Sequence, residues 1–158
     1  MNNDFMKAMK FTMKWEGGWV NDKADPGGKT NYGISDAGDG TIDGLIDLDR
    51  DGDGDIKVEE LTREQALNLY FKFYWLAAGC DKLPLPMAVV VFDTAVNCGV
   101  ARAEDFYTTS DTPSSYCGKR INFYTRLIDK KPALKKFYKG WINRVVDLRK
   151  YADILATS

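Results

Sequence analysis

Five stretches of this chain read as helices, and they leave little room for an extended sheet. Residues 3–15 set Phe5, Met6, Met9, Met13 and Trp15 along one face, and Gly17-Gly18 ends the pattern. Thr62-Arg63-Glu64-Gln65 has the form of a capping box. It opens a helix whose Leu67, Tyr70, Phe71, Tyr74 and Trp75 make a wide apolar face, closed at Gly79. After Pro84 and Pro86 comes a valine-rich run to Gly99. Its composition would suit a strand, but its length and its helical neighbours predict a buried helix. Residues 108–118, rich in Ser, Thr and Pro, predict a loop. Residues 119–130 predict a helix, broken at Lys131-Pro132. A long helix over 133–155 follows, lined by Phe137, Trp141, Val145 and Leu148. Residues 19–45, rich in Gly, Asp and Asn, predict a loop region with a short hairpin. The expectation is a mainly α fold in one domain over residues 1–158, with a small loop or β region near the start.

The chain has no histidine, which excludes Ser-His-Asp and Cys-His nucleophile systems and zinc sites built on His. Cys80, Cys98 and Cys117 are odd in number and lack CxxC spacing, so they read as free thiols, mostly buried. Any chemistry is left to carboxylates, hydroxyls, thiols or lysines, and residues 14–35, KWEGGWVNDKADPGGKTNYGIS, offer a carboxylate layout for it. Glu16 stands at the end of an apolar helix. Trp15 and Trp19 flank it, and Gly17 and Gly18 would let a sugar approach. A general acid for a glycosidic oxygen must hold its proton near neutral pH, which takes a pKa raised from about 4.3 to about 6 by an apolar wall. Asp25 follows before the turn Pro26-Gly27-Gly28.

Glu16-Gly17-Gly18-Trp19-Val20-Asn21-Asp22, Asp25-Pro26-Gly27-Gly28 and Thr30-Asn31-Tyr32-Gly33-Ile34-Ser35 together resemble the signature of glycoside hydrolase family 108. These are phage endolysins and related bacterial muramidases of lysozyme-like fold. Tyr74-Trp75, Ala78-Gly79-Cys80-Asp81, Phe92-Asp93 and Ala95-Val96-Asn97 resemble the family's central helices. From Arg120 to Leu148 the chain resembles the peptidoglycan-binding segment that ends such proteins. The resemblance implies that Glu16 is the catalytic acid, in a lysozyme-like single domain. Asp25 would support the oxocarbenium-like transition state or position water, with Asp22 a rival for that role, and Thr30 would hold the water. The spacing Glu16-x8-Asp25-x4-Thr30 is one residue shorter at Thr30 than the phage-lysozyme pattern. Trp19, Tyr32 and Asn97 are the candidate substrate contacts. The shortness of the segment between Val100 and Lys119 predicts that the C-terminal helices pack into the same compact domain.

Residues 36–60 form an acidic insertion opposed only by Arg50 and Lys57. Within it, Asp49-x-Asp51-x-Asp53-Gly54-Asp55-Ile56-x3-Glu60 matches the twelve-residue EF-hand loop. Asp49, Asp51, Asp53, Asp55 and Glu60 are therefore candidate Ca2+ ligands, with Asp55 offering its carbonyl. Asp39–Asp43 echoes the motif but lacks ligands at the matching positions, and a lone loop of this kind predicts a structural ion. The basic stretch from Lys119 to Lys150 suits anionic envelope polymers, whereas no motif supports nucleic-acid binding.

The expected function is that of an endolysin-type muramidase. It would cleave the β-1,4 bond between N-acetylmuramic acid and N-acetylglucosamine as a monomer. The N-terminus lacks a signal-peptide pattern. Synthesis in the host cytoplasm, release by a separate holin and action in the periplasm are therefore expected; a secretion-associated bacterial muramidase is the related setting. The rivals are a lytic transglycosylase and a catalytically weak peptidoglycan- or calcium-binding protein on the same scaffold.

Overall fold

A computed structural model describes residues 1–16, 30–35 and 43–158. Its helices are α1 (Asn3–Trp15), α2 (Arg63–Tyr70), α3 (Leu85–Cys98), α4 (Val100–Thr108), α5 (Pro113–Lys130) and α6 (Lys135–Ala156). Two short antiparallel pairs accompany them: β1 (Thr30–Asn31) with β2 (Ile34–Ser35), and β3 (Leu45–Ile46) with β4 (Ile56–Lys57). The fold is mainly α, as expected. None of the described helices is long and apolar enough to cross a membrane.

The chain divides into two compact units: Met1–Thr12 with Phe73–Ser158, and Met13–Lys72. The first is organised around α3. Every residue from Met87 to Ala95 is buried, and apart from Asp93 and Thr94 the run is apolar, as suits an enclosed helix. That enclosure is why a run rich in valine folds as a helix here: burial outweighs the weak helical preference of β-branched residues. Phe5 of α1, Trp75 and Phe92 of α3 meet edge to face, with centroids 5.7–5.8 Å apart. Val145, Leu148 and Ala152 of α6 complete the buried set. Phe11 of α1 stacks on Tyr151 of α6 at 5.4 Å.

The loop expected over 108–118 is mostly helix. Only residues 109–112 separate α4 from α5. Thr112 caps α5: its hydroxyl accepts the Ser115 N–H at 3.1 Å, and the Ser115 hydroxyl accepts the Thr112 N–H at 3.2 Å. Pro113 takes the first helical position. The Ser, Thr and Pro that signalled a loop are instead the chemistry of a helix start. The capping box expected at Thr62 forms. Thr62 Oγ1 accepts the Gln65 N–H at 3.2 Å, and Gln65 Oε1 accepts the Thr62 N–H at 2.9 Å. The helix it opens continues past Tyr70 as a π-helical turn, Phe71–Leu76.

In the second unit, β1 and β2 form the expected hairpin, with Tyr32-Gly33 as its two-residue turn. Both turn residues have positive φ, +53° and +74°, the geometry that lets a tight hairpin follow the strand twist. Tyrosine is unfavourable there. Its carbonyl is held by the Tyr70 hydroxyl, which donates to it at 3.2 Å. Buried Asn31 ties the hairpin to the following segment by donating to the carbonyls of Val58 at 2.9 Å and Leu61 at 3.3 Å. A Cβ on Gly33 would lie 2.6 Å from the Tyr70 hydroxyl oxygen. Gly33→Ala is expected to lose about 1–2 kcal/mol from backbone strain alone, with more from that collision, read as a lowered urea midpoint at unchanged slope.

Candidate functional site

Glu16 stands exposed in the turn immediately after α1. In the preceding part of α1, Phe5, Ala8 and Met9 are each no more than 1% exposed. Trp15, beside it, is half-buried, with the Lys14 ammonium 5.9 Å from its ring centroid. Trp19, Asp22 and Asp25 lie outside the described residues. Thr30 opens β1, two positions before the Tyr32 turn. The hairpin thus places Thr30 and half-buried Tyr32 on one rigid element, pinned through Tyr70 and Asn31.

Asn97 belongs to the other unit, near the end of α3. Its side-chain oxygen accepts from Arg120 Nη2 at 3.1 Å, from the Cys98 thiol at 3.3 Å and from the Tyr124 hydroxyl. The amide orientation is therefore set by the protein. These contacts belong to a buried charge cluster that sequence reasoning missed. Asp93, fully buried in α3, receives Arg120 Nη1 at 2.7 Å, Arg144 Nη2 at 2.8 Å, Arg144 Nε at 3.1 Å and the Thr12 hydroxyl at 2.9 Å. Arg120 also donates to the Thr94 and Tyr124 hydroxyls at 3.1 and 3.0 Å. Burial alone would raise the Asp93 pKa, but the two guanidiniums outweigh it and hold the carboxyl below its ordinary value. The available signal was a lone acid inside an apolar helical run, which had to find a cation.

The two buried thiols do not offer a nucleophile. Burial pushes the Cys80 thiol up to about 12 and the Cys117 thiol up to about 11, so neither supplies thiolate near neutral pH. All three cysteines are free.

Of the candidate calcium ligands, the structure brings together Asp49 and Asp55. Asp47, not among those expected, joins them. One carboxylate oxygen from each lies within 4.8 Å of the others. Oxygens at 2.3–2.6 Å from a shared Ca2+ sit no more than about 5 Å apart, so the three can reach one ion. Asp51, Asp53 and Glu60 are outside this cluster. The loop folds on its own carboxylates: Asp47 accepts the Arg50 and Gly52 N–H groups, Asp49 that of Asp51, Asp51 that of Asp53, and Asp55 that of Leu48. The Asp51 N–H steadies the Asp49 anion. Desolvation and the charges of Asp51 and Asp55 oppose it and raise the Asp49 pKa above the usual value. The β3–β4 pairing closes the loop with Ile46 opposite Ile56.

Residues 9–99 match the family described as glycosyl hydrolase 108, over more than half of the chain. The chain belongs to this glycosyl hydrolase family. The match takes in Glu16, Asp25, Thr30, Tyr32 and Asn97, all candidate site positions. Residues 95–146 match a family described as a predicted peptidoglycan domain. Comparison with curated proteins finds no match. Among solved structures, Brucella abortus SagA is similar over 98% of this chain and 96% of its own, with 25% sequence identity and a TM-score of 0.69. The glycosyl hydrolase family makes the chain a glycoside hydrolase, and the second match supports peptidoglycan as its polymer. The two matched regions are not separate in space: Arg120 and Arg144, in the second, make ion pairs with Asp93, in the first.

Proposed function

We propose that this glycoside hydrolase is a muramidase, hydrolysing the β-1,4 bond between N-acetylmuramic acid and N-acetylglucosamine with Glu16 as general acid. The observation that carries the proposal is Glu16 itself. It is a carboxyl at the end of a helix, in a chain without histidine, inside the stretch that belongs to the family. Glu16 would protonate the leaving glycosidic oxygen as the bond breaks. Asp25, or Asp22, would stabilise the developing oxocarbenium ion or deprotonate a water held by Thr30. Trp19, Tyr32 and Asn97 would position sugar rings. The expected setting is host-wall lysis: synthesis in the cytoplasm, release by a holin and action in the periplasm. The test is mass analysis of soluble products from purified Gram-negative peptidoglycan. Reducing-end N-acetylmuramic acid is the expected product. 1,6-Anhydro products would make the protein a lytic transglycosylase, and no products would make it a binding protein.

The acidic loop extends the proposal to a structural Ca2+ held by Asp47, Asp49 and Asp55, with Asp51, Asp53 and Glu60 from the sequence motif as further candidates. Bound, the ion would supply positive charge that lets these carboxylates stay together. Saturation at 100 times the dissociation constant adds about 2.7 kcal/mol of stability. The expected result is a calcium-dependent rise in melting temperature that EDTA reverses and that Asp49→Asn abolishes. Identical melting with calcium and with EDTA would contradict the calcium site and leave the muramidase proposal standing.

A further inference from the structure

Tyr32 has a positive φ, which a bulky residue rarely adopts. It takes the first position of the β1–β2 turn at +53°, and Gly33 follows at +74°. Asparagine or aspartate before glycine suits a two-residue turn with both φ values positive. A large side chain there is a backbone outlier, kept only where its surroundings over-determine it. They do so here. The hydroxyl of Tyr70, the last residue of α2, donates to the Tyr32 carbonyl at 3.2 Å. Tyr70 is 3% exposed, so its ring is held in place by packing. The hydroxyl reaches the turn because Gly33 has no side chain: a Cβ there would stand 2.6 Å from its oxygen. One residue before the turn, buried Asn31 donates to the carbonyls of Val58 and Leu61.

Asparagine at position 32 would serve the turn better, so the strain points to a task for the tyrosine ring itself. Tyr32 is half-buried. An aromatic ring offers an apolar face to the C–H face of a pyranose, and its phenol adds a polar handle. We infer that Tyr70 is a positioning residue acting through Tyr32: its hydroxyl fixes the strained turn, so that the Tyr32 ring meets a sugar of the substrate already ordered. A contact ordered in advance spares the substrate the entropy of ordering it on binding. The inference rests on the reading of Tyr32 as a glycan contact in a peptidoglycan hydrolase.

The test compares wild type, Tyr70→Phe, Tyr32→Asn and the double variant on soluble, uncrosslinked peptidoglycan strands, with thermal unfolding of each. Tyr70→Phe keeps the buried ring and loses only the hydroxyl. It is expected to raise KM about tenfold, the upper cost of ordering one side chain on binding. Its kcat should stay within about twofold of wild type, as when binding is lost equally from ground and transition states. Tyr32→Asn is expected to raise KM at least as much, yet to melt no lower than wild type, because asparagine suits the turn. The double variant should match Tyr32→Asn, since Tyr70 then has no ring to position. An unchanged KM in Tyr70→Phe, or a fall in kcat alone, would overturn the inference. So would a KM rise that adds in full in the double variant, because Tyr70 would then act without Tyr32. Tyr32→Asn melting well below wild type would also overturn it, since the tyrosine would be kept for the fold. Each of these results leaves the hydrolase reading standing. No hydrolysis by wild type would bring down that reading, and the inference with it.

Discussion

Asp93→Asn is expected to cost about 3–5 kcal/mol of folding stability, the penalty for removing one partner from a buried ion-paired cluster. For a chain of this size that corresponds to a fall in melting temperature of roughly 10 °C. The side chain keeps its shape but loses the charge on which Arg120 and Arg144 converge, at 2.7 and 2.8 Å. Arg120 is as fully enclosed as Asp93, with neither side chain exposed, so water does not replace the lost carboxylate. The pH dependence follows from the sign of the shift. The Asp93 carboxyl is held lower in the folded protein than the ordinary value of about 3.9 in the unfolded chain. Its contribution is therefore complete above about pH 4 and is lost as pH falls through the folded value. Wild type and Asp93→Asn should differ most near neutrality and converge in acid. Urea titrations of both proteins at a series of pH values measure this directly. Equal stability at neutral pH would mean that the cluster is not what joins α3 to α5 and α6.

That cluster also marks where the sequence was silent. Helices α1 and α6 were legible because one-sided burial imposes a periodic signal, whereas α3, buried all round, was legible from its length and its helical neighbours. The capping box at Thr62 was legible because two side chains at fixed offset answer two backbone donors. Thr112-Pro113-Ser114-Ser115 uses the same chemistry, but its composition also describes a loop, and only the helix that follows separates the two readings. The Asp93–Arg120–Arg144 contacts bridge 27 and 51 residues, and no local pattern pairs a given acid with a given arginine. At the candidate site, Glu16 and the Tyr32 turn stood out as a motif. The acidic loop was visible as a string of alternating aspartates. Its choice of Asp47 was not, because a hairpin closed by Ile46 and Ile56 brings a residue before the motif beside Asp49 and Asp55.

Glu16→Gln is expected to lower the rate of peptidoglycan hydrolysis by about 10²–10⁴, the usual contribution of a positioned general acid. The amide keeps the side chain's size but has no proton to give the leaving oxygen. Glu16 is exposed at a helix end, so its replacement should leave the folding stability within about 0.5 kcal/mol of wild type. A large loss of activity with little loss of stability separates a chemical role from a structural one. Asp93→Asn, by contrast, should act first on stability.

The measurement that tests the account most directly is mass analysis of muropeptides released from purified Gram-negative peptidoglycan by wild type and by Glu16→Gln, both shown to be folded. The account predicts fragments ending in reducing N-acetylmuramic acid from wild type and almost none from the variant. Equal release of those fragments by both proteins would contradict it, because the bond would then be broken without the carboxyl on which the mechanism depends.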